Sequence, residues 1–545
     1  MSHNPPQELR DAPEAYARRL VGILSAVAAL LAAVVFVSWA LIAAVHVDDS
    51  YNVHQVSGVW LALAQDVRHG LFYPPLYDGH FFGGTRYMPG QILVYAGAAE
   101  AVRDPVLGAK ITVYAAAVAL LALLVVSLRI IGCPLLVALA LAAAALATGV
   151  GLLATTAVGG DTWSVVLQLG ALLLVIRRQG RVAMAGAGAI CALAILTKVT
   201  ALWAPAAVIV WLLTGNRRRI VPFAVALVVT LAVGLAASET ASHGRFSDNL
   251  LGLSGSSFEG FGSVVLDSPG KLLTHAHSNA TAIVILFPLV VASLALAMRD
   301  RRASLYDLSF VFALVIGCVV LADEGAYYNH LLDVCVLSVL VVGELWRRTA
   351  GSEAGYATLR VVVLAAVVWA IGFGYFTDVK PAAVEAARLL IGREDRGAYT
   401  KRPPEDAIGP RDDVLSDDPY VPLSLGHRPV VLDAFQLLRI VDDHPEWRRA
   451  LVRRLDAHEF DKVVALQRLD HSAWWRDTHF GLPVVDAIRR NYRLSRRLPD
   501  WRNLWIYVPR TSPTDVGRRT ARRASSGREA SFAPQPLSKP GGMLW

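Results

Sequence analysis

Long apolar stretches recur from residue 21 to residue 376, and they constrain the fold more than any other feature of the sequence. About 20 consecutive apolar residues cross the hydrocarbon core of a bilayer as a helix. Only 18% of the 545 residues are charged, against about 25% in soluble domains. The sequence therefore predicts a polytopic α-helical membrane protein of about 11 transmembrane helices, at 21–47, 111–131, 133–154, 162–176, 182–199, 201–214, 220–238, 278–298, 304–322, 327–345 and 359–376.

Clusters of arginine between the apolar stretches predict the orientation of these helices. Cytoplasmic loops are enriched in Lys and Arg, so residues 1–20 are predicted to be cytoplasmic and the protein to be a multi-pass protein of the cell membrane. The segment 48–110, named loop 48–110 below, is then a large first outer loop of the transmembrane domain 21–376. The net charge of +8 comes largely from these clusters and indicates no nucleic-acid partner. The four cysteines lie in or beside apolar segments, which argues against a disulfide framework.

No apolar stretch of membrane length follows Phe376. The alternation of apolar residues predicts strands at 430–433, 460–466 and 503–508, with helices at 434–443 and 446–458. Residues 377–509 are therefore predicted to form a small extracytoplasmic α/β domain. Residues 510–545 are rich in Ser, Pro, Gly and Arg, and they are predicted to be a disordered tail.

The acidic pair Asp48-Asp49 directly follows the first predicted helix. Carboxylates at the end of a membrane helix carry a free-energy cost, because a charge is placed close to the bilayer. This cost makes them candidates for a functional site. Two adjacent carboxylates repel each other, so one of them gains from a retained proton or a bound cation. The alternative is that the pair simply ends the helix in water.

Three segments of loop 48–110 resemble the GT-C superfamily of integral-membrane glycosyltransferases. They are Asp48-Asp49-Ser50-Tyr51-Asn52, Gly70-Leu71-Phe72-Tyr73-Pro74-Pro75-Leu76-Tyr77-Asp78-Gly79 and Gly83-Gly84-Thr85-Arg86-Tyr87-Met88-Pro89-Gly90-Gln91. The superfamily includes protein O-mannosyltransferases, aminoarabinose transferases and arabinofuranosyltransferases. The resemblance implies transfer of a sugar from a polyprenyl-phosphate donor to a hydroxyl of a glycan, lipid or protein acceptor, with membrane lipid around the enzyme.

The same resemblance implies roles for individual residues. Asp49 would be the general base in a single displacement, with Asp48 as its partner or as a ligand of a divalent metal (Mg or Mn), although the order of the two can be reversed. The leaving phosphate needs cations or oriented donors, for which the candidates are Arg86, Lys198 and His330. The remaining candidates for substrate binding are Tyr51, Tyr87 and Asp333.

Several of these residues also have a structural alternative. Arg86 can be a surface arginine, Lys198 can snorkel to the membrane interface, and His330 with Asp333 can belong to a capped helix start. Asp161 is interpreted as an N-cap, and Asp412-Asp413 and Asp417-Asp418 are interpreted as loop charges. Two other functions stay open. One is a transporter or flippase, although no internal repeat is visible, and the other is a non-catalytic membrane scaffold or cell-wall sensor.

Overall fold

The computed structural model describes residues 7–178, 180–253, 261–323, 326–349 and 354–510, so most of the predicted tail lies outside the described residues. The first part of the chain is helical: α1 (Gln7–His46), α2 (Gln55–Arg68), α3 (Pro89–Val102), α4 (Pro105–Ile131), α5 (Leu135–Leu146), α6 (Gly149–Thr156), α7 (Asp161–Arg177), α8 (Arg181–Thr197), α9 (Trp203–Thr214), α10 (Ile220–Ala241), α11 (Arg245–Gly252), α12 (Phe261–Leu266), α13 (Ser268–Asn279), α14 (Thr281–Arg299), α15 (Leu305–Leu321), α16 (Leu332–Arg348), α17 (Ala354–Gly374) and α18 (Lys380–Leu390). Short 3₁₀ turns lie at Arg217–Arg219, Tyr328–Leu331 and Arg396–Tyr399, and a π turn at Tyr375–Val379.

Every apolar segment predicted to cross the membrane contains a helix, and the protein is a membrane protein. Within the described residues, six helical segments are long and apolar enough to cross a bilayer, or seven if α5 and α6 count as one broken span. Helices α8, α9 and α15 are apolar but shorter. Length and composition therefore support fewer crossings than the 11 predicted.

The segment predicted as one helix at 133–154 is broken. Helices α5 and α6 meet at an angle of 84°. Thr148 has extended backbone angles and accepts a hydrogen bond from Gly151 N at 2.8 Å, so it caps a new helix instead of continuing the old one. Asp378 Oδ2 accepts from Gly149 N at 2.9 Å, which satisfies another free donor at the break.

Helix α4 begins at Pro105, earlier than the predicted residue 111, because its start signals are strong. The Asp104 carboxylate accepts from Val106 N and Leu107 N, each at 2.9 Å, and Pro105 suits the first helical position. Consequently, part of loop 48–110 is helical, and Lys110 is buried inside α4. The loop also contains α2, which the sequence analysis did not predict, and α3, which is apolar but too short to cross a bilayer.

The chain after α18 forms a four-stranded sheet with five helices. The strands are β1 (Val414–Ser416), β2 (Lys462–Ala465), β3 (Tyr492–Leu498) and β4 (Leu504–Pro509), and the helices are α19 (Tyr420–Ser424), α20 (Ala434–Asp443), α21 (Pro445–Asp456), α22 (Ala473–Thr478) and α23 (Leu482–Asn491). The strand order is β1-β2-β4-β3, with β1 and β2 parallel and the other pairs antiparallel. Two predicted strands coincide with β2 and β4, whereas the third, at 430–433, forms only an isolated bridge to Phe82.

Loop 48–110 and the C-terminal region share one hydrophobic core. Trp60, Tyr73 and Met88 from the loop are buried in the same cluster as Tyr420 and Trp501 from the C-terminal region. At one point of the contact, a side chain at Gly58 would overlap the backbone of Tyr420. The C-terminal region is thus packed directly onto the loop that carries the acidic pair.

Candidate active site

The carboxylate of Asp49 is held in a fixed orientation just beyond the end of α1. Its Oδ1 accepts from Tyr51 N at 2.9 Å, and its Oδ2 lies 2.7 Å from His46 Nδ1. The side chain of Asp49 is 16% exposed, whereas that of His46 is 1% exposed. Since a carboxylate oxygen can accept more than one hydrogen bond, Asp49 keeps accepting capacity on an edge that solvent reaches.

Asp48 points to a different partner. Lys401, from the C-terminal region, binds both Asp48 Oδ1 and Asp104 Oδ2, the latter at 2.6 Å. Asp48 is 62% exposed, so it is the more accessible carboxylate of the pair. The two adjacent aspartates therefore occupy separate environments, one locked to His46 and one bridged to Lys401.

Tyr51 belongs to an aromatic group that surrounds His46. Its ring stacks on the His46 imidazole at 4.0 Å, and the Tyr399 ring meets both at 5.1 and 5.6 Å. Burial and the nearby charge of Glu385 raise the pKa of Tyr51 to about 12, so its hydroxyl stays protonated at neutral pH. Lys110 donates to the backbone carbonyls of His46 and Tyr51, and these contacts fix the backbone on both sides of the acidic pair.

A second polar cluster forms around Asp161. The Asp161 carboxylate binds Lys198 Nζ, and it accepts from Asn329 Nδ2 at 3.1 and 3.2 Å. The interpretation of Asp161 as an N-cap was wrong, because Gly160 holds that position and Asp161 is the first residue of α7. Lys198 and Asp161 are only 15% and 16% exposed, so Lys198 forms an ion pair inside the protein.

His330 and Asp333 flank the same cluster. His330 lies in the 3₁₀ turn Tyr328–Leu331, one residue after Asn329, and Asp333 lies in the first turn of α16. Asp333 Oδ1 accepts from Trp203 Nε1 at 2.7 Å. The predicted helix at 327–345 thus begins with a 3₁₀ turn, which brings Asn329 to Asp161.

Arg86 and Tyr87 extend this cluster toward the C-terminal region. Arg86 Nη1 donates to Asp323 Oδ2 at 2.6 Å, and Arg439 Nη2, from α20, lies 3.4 Å from Asp323 Oδ1. The Tyr87 ring stacks on Trp60 at 4.2 Å and 15°. Arg86 is consequently part of a partly buried ion-pair network instead of an isolated surface arginine.

One turn connects the two clusters. Four hydrogen bonds fix residues 156–160 to loop 48–110. Asn52 Nδ2 donates to Thr156 Oγ1 at 2.7 Å, Ser57 Oγ donates to Val158 O at 2.8 Å, Tyr95 OH donates to Gly159 O at 2.6 Å, and Gly159 N donates to Tyr95 OH at 3.0 Å. Asp161 follows this turn directly, and Asn52 follows the acidic pair closely. These hydrogen bonds therefore join the segment that follows the Asp49 group to the segment that precedes the Asp161 group.

Comparison with solved structures identifies the fold. The sequence matches no protein-family model and no curated protein at a significant level. The chain is similar in structure to ArnT, an aminoarabinose transferase from Cupriavidus metallidurans, bound to undecaprenyl phosphate. The TM-score is 0.56 at 14% identity, over 88% of this chain and 97% of that chain. The apo state of ArnT gives the same TM-score and coverage at 13% identity. The chain therefore shares the fold of ArnT over most of its length.

The sequence analysis missed three residues that lie at the candidate site. Asp161 was assigned a capping role, and Lys401 and Arg439 carry no local signal because each meets its partner only after the C-terminal region packs onto loop 48–110. Asp417 and Asp418 were also misinterpreted, since both are fully buried instead of being loop charges. Asp418 binds Arg502 through Nε at 3.1 Å and Nη2 at 2.5 Å.

The groups around Asp48 do not fit a divalent cation in this arrangement. Across the described part of the chain, no group of three or more His, Cys, Asp or Glu side chains is placed to hold a metal. The Asp48 carboxylate contacts an ammonium group, whereas Mg²⁺ prefers several oxygen ligands. The metal role of Asp48 stays a prediction from the resemblance.

Proposed function

We propose that the protein is a glycosyltransferase that moves a sugar from a polyprenyl-phosphate donor to an acceptor hydroxyl on the outer face of the membrane. The observation that carries the proposal is the GT-C fold, which this chain shares over 88% of its length with a transferase crystallised with undecaprenyl phosphate. The position of the acidic pair beyond the first long helix supports it. The arginine clusters support an orientation with the N-terminus in the cytoplasm.

Asp49 is the proposed general base. A sugar hydroxyl is a weak nucleophile, and a carboxylate within hydrogen-bond reach improves it by taking its proton in the transition state. The contacts with Tyr51 N and His46 fix the Asp49 carboxylate, which is the preorganisation that such a role needs. Asp48, bridged to Lys401, holds the C-terminal region beside the base.

In the proposed single displacement, the acceptor oxygen forms a bond to the anomeric carbon of the donor. The bond from that carbon to the phosphate oxygen breaks, the electron pair stays with the phosphate, and the acceptor proton passes to Asp49. Charge on the leaving phosphate grows during this step, and fixed cations stabilise it. Lys198 and Arg86 are the proposed cations, with His330, Tyr87 and Asp333 around the donor.

Both cations are bound to carboxylates in the structure, Lys198 to Asp161 and Arg86 to Asp323. A phosphate offers the same charge-assisted hydrogen bonds as a carboxylate. Entry of the donor therefore requires each cation to exchange its carboxylate partner for the phosphate. Before the donor binds, the carboxylates keep the cations desolvated and oriented.

The test is transfer from radiolabelled polyprenyl-phosphate sugars in membranes that contain matched amounts of wild type, Asp49→Asn, Asp48→Asn or Asp500→Asn. Asp500 is exposed in the C-terminal region and serves as the control. We expect Asp49→Asn to lower the rate at least about 100-fold, as for loss of a general base, and Asp500→Asn to leave it unchanged.

The pattern across the variants decides between the assignments. Collapse of transfer in Asp48→Asn alone would reverse the roles of the two aspartates. Equal transfer in all four proteins would refute the assignment of the acidic pair. Movement of the donor lipid across the membrane without transfer would favour the transporter hypothesis.

A further inference from the structure

A cavity of about 470 Å³ lies between loop 48–110, α11 and the start of α21. This volume is within the range of sites for small molecules. Tyr77 from the loop and Trp447 from α21 line it together, with ring centroids 5.3 Å apart at 40°. The two rings come from the two parts of the chain that share a core, so the cavity exists only while those parts are packed together.

Polar groups of α11 line the opposite wall. The Asp248 carboxylate is exposed and makes no ion pair within the described part of the chain. Arg245 Nη2 donates to Phe72 O at 3.2 Å, while Arg245 Nε is buried and has no hydrogen-bond partner among the described residues. A ligand in the cavity can therefore reach the Asp248 carboxylate.

The cavity is joined to the proposed donor site through Asn249. This fully buried amide accepts from Thr85 N at 2.9 Å and donates to Pro74 O at 3.0 Å. Thr85 precedes Arg86, one of the proposed phosphate-binding cations. The Asn249 amide therefore links the lining of the cavity directly to the segment that carries Arg86.

We propose that this cavity binds a sugar residue of a glycan acceptor. The C–H groups of a sugar ring suit the negative faces of aromatic rings, and its hydroxyl groups can donate to the exposed Asp248 carboxylate. The combination of two aromatic rings with Asp248 favours a sugar over a lipid chain, which would offer that carboxylate no hydrogen-bond donor. The inference rests on the proposed glycosyl transfer and specifies its acceptor class.

The test uses saturation-transfer NMR on the full-length protein in lipid nanodiscs, with mannobiose, arabinobiose and dihexanoylphosphatidylcholine as probes. The variants are Trp447→Leu and the conservative Asp248→Asn. Trp369→Leu is the matched control, because Trp369 is exposed on α17. We expect saturable binding of a disaccharide to wild type, a Kd at least about five-fold higher in both cavity variants, and no change in the control.

A parallel assay measures the KM for that disaccharide as acceptor, which should rise by the same factor while kcat stays constant. Equal disaccharide binding by all four proteins, absence of disaccharide binding to wild type, or preferential binding of the phospholipid would each overturn the inference. Binding that Trp447→Leu weakens, without transfer by any protein, would retain the cavity as a sugar site and refute the proposed enzyme. Failure of the sugar-site inference and failure of the proposed glycosyl transfer therefore give different results.

Discussion

Arg502 is the residue whose removal is expected to destabilise the protein most clearly. Its guanidinium reaches Asp418 Oδ2 through Nε and Nη2, donates to Val53 O in loop 48–110, and lies 4.8 Å from the centre of the Tyr420 ring. The side chains of Arg502 and Asp418 are 9% and 0% exposed. Solvent therefore cannot compensate for the loss of either partner.

Among the described residues, the variant Arg502→Met leaves the buried Asp418 carboxylate a single hydrogen-bond donor, Tyr420 N at 3.1 Å. Removing one partner of a buried ion pair costs about 3–5 kcal/mol, because an uncompensated charge stays inside. Asp418→Asn in the same chain removes that charge. We therefore expect the double variant to be more stable than Arg502→Met alone, with a coupling energy of about 1.5–3 kcal/mol.

The assay is the free energy of unfolding from urea titrations in detergent micelles, followed by tryptophan fluorescence. Arg497→Met is the control, since Arg497 lies 5.2 Å from the centre of the Trp505 ring and such a contact contributes about 1 kcal/mol or less. A cost below about 1 kcal/mol for Arg502→Met would refute the reasoning. So would a double variant that is no more stable than the single one.

Three further predictions follow from buried groups, close helix contacts and metal removal. Burial raises the pKa of Asp66 to about 7 despite the nearby positive charge of Arg428. Because this folded-state pKa exceeds the unfolded value, the free energy of unfolding falls as pH rises from about 4 to 7. In unfolding titrations at each pH, Asp66→Asn should flatten this decline. Gly188→Ala should lower the unfolding temperature because its Cβ would overlap Phe223 O between α8 and α10, whereas Gly170→Ala, with open space around it, should be neutral or stabilising. We expect transfer activity to persist after chelation with EDTA, because Lys198 and Arg86 are the proposed cations for the phosphate; loss of activity that Mg²⁺ or Mn²⁺ restores would contradict this expectation.

The helices were predictable because lipid imposes a simple rule. A backbone that crosses a membrane must satisfy its hydrogen bonds internally, so apolar length alone marks a helix. The same rule does not mark interruptions, and the break at Thr148 was missed although Thr148-Gly149-Val150-Gly151 contains a cap residue. Shorter helices in water, such as α2, depend on tertiary packing and gave no clear pattern.

The candidate site was predictable only in part, because its ion pairs join distant residues. Lys401 meets Asp48 across 353 positions, and Lys198 meets Asp161 across 37. No local pattern reports such a pairing. The interpretation of Asp417-Asp418 as surface charges failed for the same reason, since burial of Asp418 depends on Arg502, 84 positions away. Individual polar residues near helix ends were therefore identifiable, whereas their partners were not.

The shared core of loop 48–110 and the C-terminal region sets an order of events during synthesis. The loop is made early, but Tyr420, Trp501 and Arg502, which complete its core and bind its backbone, are among the last described residues to leave the ribosome. Until then Asp48 has no Lys401 to meet, and Asp49, the proposed base, lacks the surroundings that it has in the folded protein. A chain truncated after α18 would insert its helices without this core, so the proposed activity would appear only once the C-terminal region is made.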